Sequence, residues 1–152
     1  MVRVLSPEGL AVLNGDDPHV RWMATQTVAR TVTVGFGKDN DVRATDVRLD
    51  WPRGTRITLQ ANGKTWTLTS RLLGTHLVYP ILAAIAVALA EGVPVEAALP
   101  RLERLTPSPR RLEPTRLDSG AVLIRDEFKG TPESFRAALN VLADVPVLHA
   151  PM

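Results

Sequence analysis

Leu73-Gly74-Thr75-His76-Leu77-Val78-Tyr79-Pro80-Ile81-Leu82-Ala83-Ala84 sets a glycine, a histidine and a proline directly ahead of an apolar run. From Gly74 to Gly92 the apolar residues Leu77, Val78, Ile81, Leu82, Ile85, Ala86 and Leu89 recur at three- and four-residue steps, which predicts a mostly buried helix stopped by Glu91-Gly92. Pro80 lacks an N–H and clashes with the carbonyl four residues back, so the first turn alone tolerates it and the regular helix is expected near Tyr79. Pro94 to Leu105 predicts a second helix, with Val95, Ala98, Leu99 and Leu102 on one face.

Upstream of this helix pair the period changes from helical to alternating. Gly9 to Leu13 reads as a buried strand whose polar tip, Asn14-Gly15-Asp16-Asp17-Pro18, starts a turn or helix. His19 to Ala29 has helical spacing, and Thr31 to Gly37 is a β-rich run closed by glycines. Val42 to Asp50 and Thr55 to Gln60 alternate as strands with one wet face would. Ala61-Asn62-Gly63-Lys64 then links Ile57–Gln60 to Thr65–Leu68, and Asn-Gly accepts positive φ at both centres of a tight turn, so a hairpin is expected.

Downstream, Thr106-Pro107-Ser108-Pro109 places two prolines within three residues, which stops a helix and favours extended chain. The expected division is therefore 1–106 and 107–152. In the second part, Leu112–Leu117 and Ala121–Ile124 read as strands around Asp118-Ser119-Gly120. Pro132–Ala143 reads as an amphipathic helix with Phe135, Ala138, Leu139 and Leu142 on its apolar face, and 145–148 as a further strand.

Composition bounds the chemistry. The 152 residues suffice for one compact domain, or a larger piece with a smaller one, and 45% hydrophobic with 22% charged residues is ordinary globular content. A net charge of only +2 and arginines scattered from Arg3 to Arg136, without interleaved aromatics, argue against a nucleic-acid partner. The absence of cysteine excludes disulfides, thiolate metal sites and a cysteine nucleophile, and it suits a reducing cytoplasm. The longest apolar run, Ile81 to Ala90, is too short to span a bilayer, so no membrane role is expected. His19 and His149 lack partners at ligand spacing, and Asn14, Asp16 and Asp17 read as turn and cap formers rather than a metal site, leaving no metal or catalytic residue assigned.

Taken in order, Leu13-Asn14-Gly15-Asp16-Asp17-Pro18, Gly74-Thr75-His76 through Ala84, and Ile124-Arg125-Asp126-Glu127-Phe128-Lys129-Gly130-Thr131-Pro132-Glu133-Ser134 resemble a Mur ligase, nearest the D-alanyl-D-alanine-adding type. The family carries Leu-Asn-x-Asp-Asp-Pro, Gly-x-His-Asn-x-x-Asn-x-Leu-Ala-Ala and Asp-x-Tyr-Asn-Ala-Asn-Pro-x-Ser in this order. The resemblance covers about positions 5 to 145. It implies an α/β fold: the latter part of a central domain, with a mixed sheet, a β-hairpin and a helix pair, followed by the start of a Rossmann-like C-terminal domain.

The resemblance also implies ATP and Mg²⁺ as cofactors, with a nucleotide held by Asp126, Arg111, His76 and Lys129. Asp126 matches the aspartate that holds the ribose, and its place after an apolar strand is where α/β proteins set ligand groups, although a strand-end turn former would look the same. Arg111 matches an arginine against the nucleotide, with Arg110 replacing the family's glycine; an exposed linker arginine is the other reading. His76 matches the family histidine, but the two asparagines after it are here Leu77 and Pro80, neither of which offers a side-chain hydrogen bond. A histidine at a helix start can equally be a packing residue. Lys129 could meet a phosphate as a point charge or stand solvated, while Thr131 reads as an N-cap ahead of Pro132.

Gly35-Phe36-Gly37-Lys38 does not meet the Gly-x-x-x-x-Gly-Lys-Ser/Thr pattern of a phosphate loop. The family's loop lysine, metal-binding glutamate and bridging lysine are expected ahead of the first residue. The chain is thus expected to be a truncated member or one half of a split amide-forming ligase of peptidoglycan precursor synthesis, inactive alone. The alternative is a non-catalytic interaction module descended from such a ligase; folylpolyglutamate synthase fits the motifs less well. Half a central domain should leave apolar sheet surface uncovered, so self-association or a partner supplying the missing half is expected.

Overall fold

The computed structural model describes residues 2–128 and 130–146. Five strands form one mixed sheet in the order β1-β2-β3-β4-β5: Leu10–Asn14, Arg30–Gly35, Val42–Asp50, Gly54–Ala61 and Lys64–Ser70. β1, β2 and β3 run parallel, β4 returns antiparallel to β3, and β5 reverses again to pair antiparallel with β4. The parallel pair needs a crossover, which is supplied by a short helix α1 (Pro18–Trp22) and a 3₁₀ turn at Met23–Gln26. This connection is shorter and less regular than the helix expected over His19–Ala29. Asp17 caps α1 by accepting from the His19 and Val20 amides, and Thr25 Oγ1 donates to the Trp22 carbonyl where the α-helical pattern ends.

The expected hairpin is present. Ala61 faces Lys64 across Asn62 (φ +48°) and Gly63 (φ +72°), the two positive φ values a two-residue turn of this hand requires. β3 carries a bulge between Ala44 and Asp46, which changes which of its residues face inward.

Helices α2 (Val78–Ala90) and α3 (Val95–Glu103) form the expected pair, and a 3₁₀ turn over Thr75–Leu77 precedes α2. Pro80 lies at the third position of α2, where the amide it lacks would have no intrahelical partner. Ile81, Leu82, Ile85 and Ala86 of α2 interlock with Val34, Val42, Ile57, Leu59 and Leu68 of the sheet. Full burial of each of the larger side chains contributes about 1.5 to 3 kcal/mol, so this α2–sheet layer is the main stabilising contact of the fold.

After Arg104 the chain runs without regular elements to a two-stranded antiparallel ribbon, β6 (Glu113–Arg116) and β7 (Val122–Arg125). Helix α4 (Pro132–Ala143) follows. Thr131 accepts from the Ser134 amide while Ser134 Oγ accepts from the Thr131 amide, a reciprocal cap with Pro132 at the first helical position, as the sequence suggested. A second buried cluster joins this segment to the rest: Leu73, Leu112 and Val141, with Leu49, Trp51, Ile124 and Ala138 packed around them. The strand expected over 145–148 reaches residues 147 and 148, outside the described residues. No helix among the described residues is long and apolar enough to cross a membrane.

Candidate functional site

Three chain segments meet at the seam made by the second cluster. The turn before α2 supplies His76 and Leu77, the loop before β6 supplies Arg111 and Leu112, and the end of β7 with the start of α4 supplies Asp126 and Ser134. Together they line a cavity of about 160 Å³. His76, Arg111 and Asp126, separated in sequence by 35 and 15 residues, thus line one cavity. Lys129 lies outside the described residues.

Local backbone geometry sets these side chains. Gly74 has φ +98°, and its amide donates to the buried Thr55 Oγ1 at 3.2 Å, so the turn carrying His76 is anchored to β4. A Cβ on Gly74 would sit 2.7 Å from Val141 Cγ2 and 2.9 Å from the His76 ring; only glycine lets α4 approach this turn. Asp126 Oδ1 accepts from the Leu112 amide at 3.1 Å, which fixes the carboxylate against the 110–112 loop. Arg110 and Leu112 take φ +62° and +45°, in the left-handed region that glycine enters more readily. Arginine at position 110 carries a conformational penalty of about 1 to 2 kcal/mol that glycine would not.

Burial pushes the His76 imidazole below its ordinary value, against the pull of the Asp126 charge. His76 is therefore neutral at pH 7 and presents one donor and one acceptor nitrogen rather than a cation. Positive charge at the cavity comes instead from Arg111. Its guanidinium lies 4.8 Å from the centre of the Phe128 ring, with that of Arg110 at 5.5 Å. Phe128 escaped the sequence reading because its ring contacts residues 17 and 18 positions away; the adjacent arginines alone gave no sign of it.

The other polar constellation is a brace. Asp16 Oδ2 accepts from the Phe36 amide at 2.6 Å and from the Tyr79 hydroxyl at 2.9 Å, while Oδ1 accepts from the Gly37 amide at 2.9 Å and Asn40 Nδ2 at 2.8 Å. Burial acts to raise the Asp16 pKa, but these four donors outweigh it and hold the carboxyl below its usual value. Burial, then the bond to Asp16 and its charge, push Tyr79 up to about 12. The brace fastens the carboxyl ends of β1 and β2 to the start of α2 and leaves no room for larger residues. A Cβ at Gly35 would meet Asp16 Oδ2 at 2.4 Å, and one at Gly15 would meet Asn40 Oδ1 at 1.9 Å. With both Asp16 oxygens occupied and Asp17 capping α1, these carboxylates do not suit Mg²⁺. The described residues hold no group of three metal-ligating side chains.

A mixed sheet backed by a helix pair, joined to a second α/β segment through a small cavity lined by both polar and apolar side chains, defines the class. A sequence model of the Mur ligase middle domain matches residues 1–88, and the chain belongs to the Mur ligase family. Within it, the chain is similar to UDP-N-acetylmuramoyl-tripeptide–D-alanyl-D-alanine ligase of Mycobacterium tuberculosis, 38% identical over 136 residues, covering 89% of this chain and 27% of that one. It is also similar to the UDP-N-acetylmuramoyl-L-alanyl-D-glutamate–2,6-diaminopimelate ligase of Halalkalibacterium halodurans, at 33% over 136 residues, 90% of this chain and 28% of that one. MurF from Acinetobacter baumannii superposes with a TM-score of 0.83 at 26% identity, covering 95% of this chain and 31% of that structure. The chain therefore spans about a quarter of the length of the curated relatives it matches.

Proposed function

We propose that this chain forms the nucleotide-facing seam between the central and C-terminal domains of a Mur-type, ATP-dependent amide-forming ligase acting in peptidoglycan precursor synthesis in the cytoplasm. The observation that carries this reading is the meeting of His76, Arg111 and Asp126 around one cavity. Asp126, tied through Oδ1 to the Leu112 amide, has Oδ2 to accept from a ribose hydroxyl; Arg111 offers charge-assisted donors to a phosphate; neutral His76 offers a single hydrogen bond. ATP, when bound, would supply the phosphoryl group that activates a carboxylate. The residues here bind and orient one edge of it. Lys129 is proposed as a further phosphate contact, and the domain boundary is proposed near Thr106, giving 1–106 and 107–152.

A volume of about 160 Å³ falls below the roughly 300 to 1,000 Å³ of pockets that enclose a drug-sized ligand. The cavity therefore holds part of a nucleotide, and the sequence carries no phosphate loop to hold the rest. Weak nucleotide binding without turnover is the expected behaviour of the isolated chain, and Mg²⁺ would have to be held by groups outside the described residues. Calorimetric titration with a non-hydrolysable ATP analogue should show binding that Asp126→Ala weakens at least tenfold, the loss expected for a charge-assisted hydrogen bond of about 1.5 to 3 kcal/mol. Absence of binding by the unaltered chain would favour the second reading, a non-catalytic interaction module. Leu77 supports that alternative, since it lines the cavity where the family has an asparagine and offers the ligand no hydrogen bond.

Exposed apolar side chains occur along much of the chain, two sets of them local, which suits a partner that completes the protein or a second copy. Val4, Trp22 and Val28 lie near the start of the chain, whereas Phe135, Leu139 and Leu142 recur at the spacing of one stripe along α4. Sedimentation of the isolated chain at micromolar concentration should show self-association; a monodisperse monomer would count against this part of the proposal.

A further inference from the structure

We infer that Phe128 is a positioning residue that holds the Arg111 guanidinium face-on to its ring and thereby aims it at an anionic group of the ligand in the cavity. The inference rests on the nucleotide reading above and adds to it the residue through which Arg111 is held. Arg111 is exposed and has several rotatable bonds, and the described residues place no carboxylate in an ion pair with it. Its partner is an aromatic face at 4.8 Å, well within the roughly 6 Å over which a ring quadrupole attracts a cation.

The ring is itself fixed by the loop it serves. The Phe128 amide donates to the Arg110 carbonyl at 3.2 Å, and two residues earlier Asp126 accepts from the Leu112 amide. Two backbone ties thus bracket Arg111. Arg110 contributes its own stack on the ring at 5.5 Å, while its amide donates to Glu113 Oε2 at 2.9 Å, so the residue before Arg111 is also held in place. A ring satisfies the guanidinium without neutralising it: a carboxylate partner would compete with a phosphate, whereas an aromatic face leaves the N–H fork free for two bonds to one anion. Phe128 is 48% exposed, which hydrophobic burial alone does not explain.

The test is a double-mutant cycle read by calorimetry with a non-hydrolysable ATP analogue and, separately, inorganic pyrophosphate. Phe128→Leu should weaken both by roughly three- to tenfold, combining the lost cation–π contact with the cost of ordering a free arginine. Phe128→Tyr should stay within about twofold of the unaltered chain, and Phe128→Leu in an Arg111→Ala background should add nothing. In NMR spectra, the Arg111 Nε–H proton should lie upfield under the ring current and return to the ordinary arginine position in Phe128→Leu, which reports the stack itself, while the affinity loss that vanishes in the Arg111→Ala background reports the positioning. Unchanged affinity in Phe128→Leu, or an Arg111 resonance unaffected by losing the ring, overturns this proposal while leaving the nucleotide reading standing. If the unaltered chain binds neither probe, both fall.

Discussion

Gly54→Ala should lower stability by at least about 3 kcal/mol, a loss in the range reserved for substitutions that break backbone geometry or packing. Gly54 begins β4 after the turn at Trp51–Arg53, with φ +150°, a backbone conformation that residues with a Cβ rarely adopt. The steric problem is larger than the conformational one. A Cβ there would stand 1.8 Å from the Ser70 carbonyl oxygen and 2.8 Å from Arg71 Cα, and both are backbone atoms at the end of β5 and just past it, which cannot rotate away as a side chain would. Relief requires parting β4 from β5 where Thr55 pairs with Ser70, two polar residues buried to 2% and 0% exposure. At roughly 2 to 4 °C per kcal/mol for a chain of this size, thermal unfolding should move down by about 10 °C. Gly63→Ala provides the comparison: φ is +72°, but nothing lies within 4 Å, so only the conformational cost of about 1 to 2 kcal/mol applies. Equal melting temperatures for the two variants would contradict the steric argument.

Gly74→Ala should damage stability and ligand binding together. Its φ of +98° carries a penalty of about 1 to 2 kcal/mol for any residue with a Cβ, and the new methyl would meet Val141 Cγ2 at 2.7 Å and His76 Cε1 and Nδ1 at 2.9 Å. Both contacts are side chains, so the structure can yield, but each way of yielding has a consequence. Moving Val141 loosens the seam of Leu73, Leu112 and Val141; moving His76 displaces a wall of the cavity. A total loss of about 2 to 3 kcal/mol is expected from denaturant unfolding. At a temperature where the variant remains folded, affinity for the non-hydrolysable ATP analogue should also fall. Gly92→Ala, at φ +74° with open space around it, should share the conformational loss and leave affinity unchanged. Equal affinity in the two variants would show that the turn does not control the site.

Much of the architecture was legible because it rests on local signals. The apolar period of α2, the Asn62-Gly63 turn, the Thr131-Pro132 helix start and the breaker pair Pro107–Pro109 each act within a few residues, so propensity and capping physics could read them. The crossover after β1 was misread in length. Val20, Met23, Ala24 and Thr27 have helical spacing, yet the segment turns 3₁₀ after Trp22, where Thr25 donates to a backbone carbonyl and Thr27 Oγ1 accepts the Ala29 amide, an alternative to the helical ladder. Asp16 was identified as a turn residue, but its bonds to Phe36, Gly37, Asn40 and Tyr79 span up to 63 positions, and no spacing rule predicts them.

Sequence alone determined the mixed α/β class, the hairpin, the helix pair and, through three ordered motifs, the family and the candidate residues His76, Arg111 and Asp126. It did so because strands, helices, turns and caps are decided by short-range sterics and periodicity. Tertiary structure alone decided that those three residues face one cavity, that Phe128 rather than a carboxylate holds Arg111, and that Gly54 and Gly74 sit where neighbouring backbone or side chains leave no room for a Cβ. These facts depend on distances between segments far apart in the chain, which are fixed only when the sheet, α2 and α4 pack together.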